Sequence, residues 1–176
     1  MLLTESATRD GRPLVLRRAT AEDAEALVAA VDAVSRERAY LLRSRFHQPI
    51  EDEREFLARA AEEGRLVLLA DVEGRLAGWV TLGRPRQDYR RHCAELGIGV
   101  LAEWRGVGVG RALMEAAIAW SAAQGLERLE LGVRASNHRA QRLYERLGFV
   151  EEGRARRAVK DEDGRYDDVI AMVRFL

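Results

Sequence analysis

A chain of 176 residues, 47% apolar and 6% aromatic, is long enough to bury one sizeable core and too short for two, so we expect a single domain over residues 1–176. Its 29 basic and 29 acidic residues cancel, and this balance argues against nucleic acid and against an anionic membrane as partners. One cysteine excludes an internal disulfide, and three scattered histidines show no spacing that suggests a metal site.

The hydrophobic pattern alternates between strand-like and helix-like periods and predicts an α/β fold. Helix boundaries are indicated by a capping-box pattern at Thr20 and Asp23 and by Gly64 at a C-terminal position. Glu73-Gly74 between two apolar runs predicts a β-hairpin. The predicted elements, in chain order, are a strand at 11–20, helices at 21–36 and 51–63, strands at 66–71 and 76–83, a strand that ends near Val100, a helix that ends before Gly125, a strand at 128–135, a helix at 137–149, and strands at 153–160 and 166–175 joined by a turn at Asp163-Gly164.

The segment 96–125, LGIGVLAEWRGVGVGRALMEAAIAWSAAQG, combines a strand, a glycine-rich loop at 105–110 and an amphipathic helix. The first N–H groups of a helix have no internal partners and lie at the positive end of its dipole. Glycines before them would let an anion such as a phosphate approach closely. A tight turn that serves only close packing is the alternative that the glycines alone leave open.

Two known phosphate-binding motifs fit this loop poorly. A nucleotide P-loop needs lysine and then serine or threonine after the last glycine, whereas Arg111 and Ala112 follow here. A dinucleotide-binding loop needs G-x-G-x-x-G, but the third site falls on Arg111 when the count starts at Gly106. Because Glu127 and Glu130 lie about 20 residues further on, a dinucleotide enzyme stays as an alternative.

The loop Arg105-x-x-Gly108-x-Gly110 resembles the R/Q-x-x-G-x-G/A motif of the GNAT superfamily of acyl-CoA-dependent N-acyltransferases, in which it holds the coenzyme A pyrophosphate. The segment LELGVRASNHRAQRLYERLGF is similar to a second motif of that family. Its matching residues are Asn137, Ala140, Leu143, Tyr144, Gly148 and Phe149. One departure is Ala102, where the family often has proline, and it removes no anion-binding donor. The resemblance extends over nearly the whole chain and implies a mixed, centrally splayed β-sheet flanked by helices.

The resemblance implies direct transfer of an acetyl group from acetyl-CoA, the co-substrate, to a primary amine, without a metal. The acceptor would be a small-molecule amine or a protein or peptide amine, entering over residues 37–53 and under the acidic hairpin loop at 160–168. This loop would attract a cationic amine, and a solvated turn without a function is the alternative interpretation. A non-catalytic acyl-CoA sensor is a second alternative. The implied cofactor-binding residues are Ile98, Val100, Arg105, Gly106, Val107, Gly108, Val109, Gly110, Arg111, Asn137 and Tyr144.

Direct transfer needs an unprotonated amine and a proton for the departing thiolate. An alkyl amine with a pKa near 10.4 is only about 0.04% neutral at pH 7, so a base helps. The resemblance implies Glu95 as that base, and a structural strand glutamate is the alternative reading. It implies Tyr144 as the acid that protonates the coenzyme sulfur, with a core aromatic as the alternative. Asn137 has two compatible roles, as a helix cap and as a contact to the pantetheine arm.

The remaining reactive or aromatic side chains are predicted to be structural. Cys93 is expected in the core, His92 and His138 in solvent, and the three tryptophans in core or rim packing. The first residues lack the apolar stretch of a signal peptide, and the longest aliphatic run, at 66–70, is too short to span a bilayer. We therefore expect a cytoplasmic protein without a membrane partner, and the sequence is compatible with a homodimer.

Overall fold

A mixed eight-stranded sheet with helices on both faces forms the framework of the protein. The computed structural model describes residues 2–176, with side chains from Glu5 onward. The strands are β1 (Leu2–Ala7), β2 (Pro13–Arg18), β3 (Leu66–Val72), β4 (Arg75–Gly83), β5 (Cys93–Val100), β6 (Arg128–Arg134), β7 (Val150–Lys160) and β8 (Tyr166–Phe175). The α-helices are α1 (Ala24–Arg36), α2 (Ile50–Arg59), α3 (Val109–Ala123) and α4 (His138–Arg146). The strand order in the sheet is β1-β2-β3-β4-β5-β6-β8-β7.

Each face of the sheet carries its own hydrophobic core because successive side chains of a strand point to opposite faces. Leu66, Leu68 and Ala70 of β3 belong to the larger cluster, which also contains buried residues of α3 and α4. Val67 and Leu69 belong to the smaller cluster, with residues of α1 and α2. The near-continuous apolar run of β3 is therefore explained by burial on both faces.

The sheet opens between its two central strands, as the family resemblance implied. β5 and β6 run parallel, and their register extends only over Cys93–Glu95 against Arg128–Glu130. Beyond this point β5 stays paired with β4 through Val100, whereas β6 stays paired with β8 through Arg134. The carboxyl-terminal halves of β5 and β6 therefore diverge, and the gap between them reaches into the sheet.

Most predicted elements are confirmed, and residues at their ends explain where they begin and stop. The predicted first helix begins as a 3₁₀ turn at Ala21–Asp23, in which the Asp23 carboxylate accepts a hydrogen bond of 2.8 Å from the Thr20 N–H. The helix predicted at 51–63 ends earlier, at Arg59, and is followed by turns that close at Gly64, whose φ is +67°. The turn at Gly164, with φ of +79°, and the cap at Asn137 are as predicted.

The N-terminal strand β1 is the main element that the sequence patterns missed. It forms an antiparallel pair with β2 and lies at an edge of the sheet. Its sequence, LLTESA, lacks the regular apolar–polar alternation by which a strand with one buried face is recognised. Within residues 2–176, no helix is both long and apolar enough to cross a membrane.

Candidate active site

The gap between β5 and β6 forms the floor of a cleft with a volume of about 460 Å³. One wall is built by the glycine loop and the start of α3, and the other by β6 and α4. Tyr40, Leu41 and Leu42, from the segment after α1, cover one end. The predicted cofactor residues that line this cleft are Ile98, Val100, Arg105, Gly106, Gly108, Gly110, Arg111, Asn137 and Tyr144. The other two differ: Val109 is fully buried beneath the loop, and Val107 is partly buried against the core.

The glycine loop has a backbone that only glycine adopts easily. Gly106 has a φ of +88° and Gly108, the N-cap of α3, a φ of +106°. The helical ladder starts with the Ala112 N–H, which donates to the Gly108 carbonyl at 3.0 Å. The three N–H groups before it therefore have no intrahelical partner and can bind an anion at the positive end of the α3 dipole.

Arg105 fixes the start of this loop. Its Nε donates to the Val100 carbonyl at 2.8 Å, and its two terminal nitrogens donate to both carboxylate oxygens of Glu37 at 2.6 Å. The guanidinium also stacks 4.4 Å above the Tyr40 ring. A bidentate, half-buried pair of this kind is a strong and directional contact. Arg105 thus connects the glycine loop to the end of α1, and its main engagement is with Glu37.

The cleft is much more basic than the chain as a whole. Six arginines line it: Arg9, Arg105, Arg111, Arg139, Arg142 and Arg146. No carboxylate side chain is among its lining residues in the described part of the chain. Among the described side chains, Arg105 pairs with Glu37 and Arg111 pairs with Glu115, whereas the other four arginines have no ion-pair partner. The balanced net charge therefore conceals a local positive field that suits a ligand with several phosphates.

Tyr144 lies inside the cleft and is 6% exposed. Its ring packs against Phe149, with 6.0 Å between the centroids, and burial raises the pKa of the phenol far above its usual value. No described residue forms a hydrogen bond with its hydroxyl, which is therefore free to meet a bound group. A phenol with a raised pKa stays protonated over the whole neutral range and is available as a proton donor.

Two glycines of β5 have their side-chain positions on the face toward α1 and α2. A Cβ at Gly99 would lie 2.2 Å from the Trp79 ring, so this position accepts no side chain without displacing Trp79. A Cβ at Gly97 would lie 3.1 Å from Thr81 Oγ1. Both residues line the cleft, but the Trp79 ring covers Gly99, which is buried, whereas Gly97 is exposed and its bare backbone allows a ligand to pass close to the strand.

Glu95 lies at the vertex of the cleft and not in its lining. It is the last residue of β5 that is in register with β6, opposite Glu130, and its side chain is exposed. Alternation along β5 places it on the same face as Gly97 and Gly99. Glu130 is held by Arg90 and Arg128 at 2.7 Å, whereas Glu95 has no such partner among the described side chains. Glu95 is thus the neighbour, on the same face of β5, of the cleft-lining residue Gly97.

Asn137 caps α4, as predicted, through a hydrogen bond of 3.2 Å from the Ala140 N–H to its Oδ1. The capping residue also lines the cleft, so the geometry is compatible with both of its expected roles. His92 and His138 are exposed, and Cys93 and Trp104 are buried, in agreement with their assignment as structural residues.

A buried arginine joins the hairpin loop at 160–168 to the segment after α1. Arg134, 5% exposed, donates to Asp167 at 2.9 Å and to Asp161 at 3.1 Å, and it also donates to the Arg38 carbonyl. Arg38 itself pairs with Glu162 at 2.6 Å. Two aspartates of the acidic hairpin loop thus hold Arg134 and fix the segment after α1, and the tip of the loop at 162–166 is exposed. Attraction of an amine by this loop stays a prediction.

The sequence placed residues 37–53 at the acceptor entrance without singling out Tyr40, Leu41 or Leu42, and it did not indicate the cleft arginines Arg9, Arg139, Arg142 and Arg146. These residues come from separate segments, and no local motif marks them. The only available signal was the excess of arginine, 28 residues against one lysine by composition, which does not reveal position.

Comparison with known proteins gives a consistent assignment. The sequence model of the Acetyltransferase (GNAT) family matches residues 24–149. The acetyltransferase of GNAT family from Streptococcus pneumoniae superimposes with a TM-score of 0.87 at 33% identity, covering 93% of this chain and 99% of that one. The ribosomal-protein-alanine N-acetyltransferase from Brucella melitensis superimposes with a TM-score of 0.83 at 26% identity, covering 92% and 99%.

Among curated proteins, the L-amino acid N-acetyltransferase AaaT of Escherichia coli is 32% identical over 111 residues, which are 61% of this chain and 66% of that protein. The aligned part thus spans 66% of the length of AaaT, and it spans 27% and 31% of the length of two mycothiol acetyltransferases. The family match covers most of the chain, and the S. pneumoniae structure matches it almost from end to end. The chain therefore belongs to the GNAT acetyltransferase family.

Proposed function

We propose that this protein transfers an acetyl group from acetyl-CoA directly to a primary amine. The observation that carries the proposal is the cleft itself, where the free N–H groups of the α3 start, an arginine-rich wall and the Tyr144 hydroxyl open onto one space between the splayed strands. The polyanionic end of the coenzyme fits the arginines and the glycine loop. Its thioester arm would then follow β5 toward Tyr144.

Acetyl-CoA supplies an activated acyl group, and the chain's residues supply position and proton transfer. The loop N–H groups and the wall arginines hold the phosphates. The exposed backbone of Gly97 lets the pantetheine arm lie against β5. Tyr144 donates its proton to the sulfur as the bond from the carbonyl carbon to the sulfur breaks and the amine forms the amide. The high pKa of the buried phenol keeps that proton in place until thiolate develops.

Glu95 is our proposed base, acting through water. Its carboxylate is exposed at the vertex of the cleft and is free of the ion pairs that hold the neighbouring Glu130. One intervening water would let it accept a proton from an amine that lies over Gly97. Asn137 is the proposed contact for the pantetheine arm.

The acceptor would enter past Tyr40, Leu41 and Leu42. Among the relatives, one is named for L-amino acids and another for ribosomal-protein alanine. Both names describe α-amines, and both a small molecule and a peptide end carry that group. We therefore propose an α-amine, of a small molecule or of a protein N-terminus, as the acceptor. The apolar end of the cleft would favour an acceptor with an apolar flank.

A turnover assay separates this proposal from the two alternatives. Purified protein is incubated with acetyl-CoA and a panel of amino acids, polyamines and peptides, and released thiol and acetylated product are measured. We expect thiol release that depends on the amine and a product heavier by one acetyl group. Binding of acetyl-CoA without turnover across the panel would favour a sensor. Dependence on NAD would favour a dinucleotide enzyme.

Glu95→Gln should slow transfer most at low pH, because the unassisted neutral amine is scarcest there. We expect a loss of about tenfold at the acidic end of the range, shrinking as the pH approaches the pKa of the amine. The rate of each variant is measured across pH with saturating acetyl-CoA. The matched control is Glu62→Gln, an exposed glutamate on the chain after α2. A constant ratio of variant to parent rates at every pH would show that Glu95 is structural.

A further inference from the structure

The turn between β1 and β2 is fixed against the glycine loop. The Arg9 N–H donates to the Val107 carbonyl at 2.8 Å, which joins the two backbones directly. Thr8, 5% exposed, stiffens the turn, since its N–H donates to the Arg12 carbonyl and its Oγ1 accepts from the Arg12 N–H, both at 2.9 Å. Arg12 in turn stacks 4.5 Å above the Trp104 ring, just before the loop. The position of Arg9 is therefore set by its backbone.

The Arg9 side chain reaches into the cleft at the start of α3. Its Cγ lies 3.7 Å from the point that a Cβ on Gly108 would occupy. From the other side, a terminal nitrogen of Arg139 lies 3.1 Å from the corresponding point on Gly106. Neither arginine has an ion-pair partner among the described side chains. The side chains of Arg9 and Arg139 thus lie against the loop at Gly108 and Gly106, and both line the cleft.

This arrangement is electrostatically unfavourable when the site holds no anion. A cation near a helix N-terminus is repelled by the dipole. An anion held by the loop N–H groups makes the same cation favourable. Arg105, at the start of the same loop, pairs with Glu37, whereas Arg9 and Arg139 have no carboxylate partner among the described side chains and are open to a ligand that supplies the negative charge.

We infer that Arg9 binds the pyrophosphate of coenzyme A, and that the N-terminal hairpin is therefore part of the cofactor site. The inference rests on the proposed function for the identity of the ligand. Arg9 lies outside residues 24–149, the part that matches the family model, so the family motif does not assign it. It contributes a charge-assisted contact in addition to the loop N–H groups.

Arg9→Gln removes the charge and keeps the backbone hydrogen bond to Val107. Coenzyme A and 3′-dephospho-coenzyme A are titrated by calorimetry into the parent, Arg9→Gln and Arg9→Lys proteins. The thermal unfolding temperature of each protein is also measured without ligand. We expect Arg9→Gln to weaken both ligands by the same factor, about tenfold, and Arg9→Lys to weaken them less. Unfolding of Arg9→Gln without ligand should occur at the parental temperature or above it, because a repulsion is relieved. Arg156→Gln, a charge change on exposed β7, should alter none of these values.

Three results would overturn the inference. Parental affinity of Arg9→Gln for coenzyme A would show that Arg9 does not contact it. A loss seen with coenzyme A and absent with 3′-dephospho-coenzyme A would assign Arg9 to the 3′-phosphate. A lower unfolding temperature without ligand would show a structural role. If the parent itself bound no coenzyme A, the proposed function would fail first, and this outcome is distinct from the other three.

Discussion

Replacing Tyr144 by Phe should lower the rate of acetyl transfer by at least about 100-fold while the protein stays folded, because general acid catalysis contributes about 10²- to 10⁴-fold. The ring keeps its packing on Phe149, and only the hydroxyl, which has no hydrogen-bond partner among the described residues, is lost. Affinity for acetyl-CoA should stay near the parental value. The measurement is single-turnover transfer, since slow product release would conceal the loss at steady state.

The matched control is Tyr89→Phe, the same chemical change on a side chain that is 96% exposed and outside the cleft lining. It should leave the rate unchanged. The pH profile gives a further check, because burial raises the pKa of Tyr144 and its ionisation should remove no activity below about pH 10. A folded Tyr144→Phe protein with the parental single-turnover rate would exclude Tyr144 as the acid and favour water.

Gly108→Asp should weaken acetyl-CoA binding by about 100-fold or more, equivalent to about 2.7 kcal/mol. Gly108 has a φ of +106°, so any side chain introduces backbone strain of about 1–3 kcal/mol, and the carboxylate repels a phosphate at the start of α3. Calorimetric titration on protein first shown to be folded gives the affinity. Gly108→Ala, which has the strain without the charge, should lose less.

Gly110→Ala is the control within the same loop. A Cβ there would lie 3.5 Å from Val100 Cγ2 and 3.6 Å from Leu143 Cδ2, which is ordinary van der Waals contact, and the backbone is already helical. This variant should keep the parental affinity and gain slightly in stability, because alanine favours a helix over glycine by up to about 1 kcal/mol. Equal affinity of the Gly108→Asp and parent proteins would place the phosphates elsewhere.

The order of most elements and the glycine loop could be predicted because they depend on local residues. Helix caps, hairpin glycines and hydrophobic periods act within a few positions, so Asn137 and Gly164 were assigned correctly. The loop motif carries its own chemistry, because Gly106 and Gly108 take positive φ values that other residues resist.

The features that escaped prediction depend on contacts between distant segments. Arg105 was expected to bind the coenzyme, yet its guanidinium pairs with Glu37, 68 positions away, and no local signal marks that pair. Arg9 reaches the loop through β1, an edge strand with a weak pattern. A net charge of zero hides the basic cleft because acidic residues pair with arginines elsewhere. Tertiary structure, and not composition, decides where charge remains uncompensated.

Thermal and calorimetric titration with acetyl-CoA, with NAD as the comparison, tests most directly whether this cleft is a coenzyme A site. At about 100 times its dissociation constant, acetyl-CoA should add roughly 2.7 kcal/mol to the free energy of unfolding. NAD should add little, since the loop lacks the dinucleotide spacing. Stabilisation by acetyl-CoA that is lost in Gly108→Asp and kept in Gly110→Ala is the result that we predict. Stabilisation by NAD alone, or by neither ligand, would contradict the assignment.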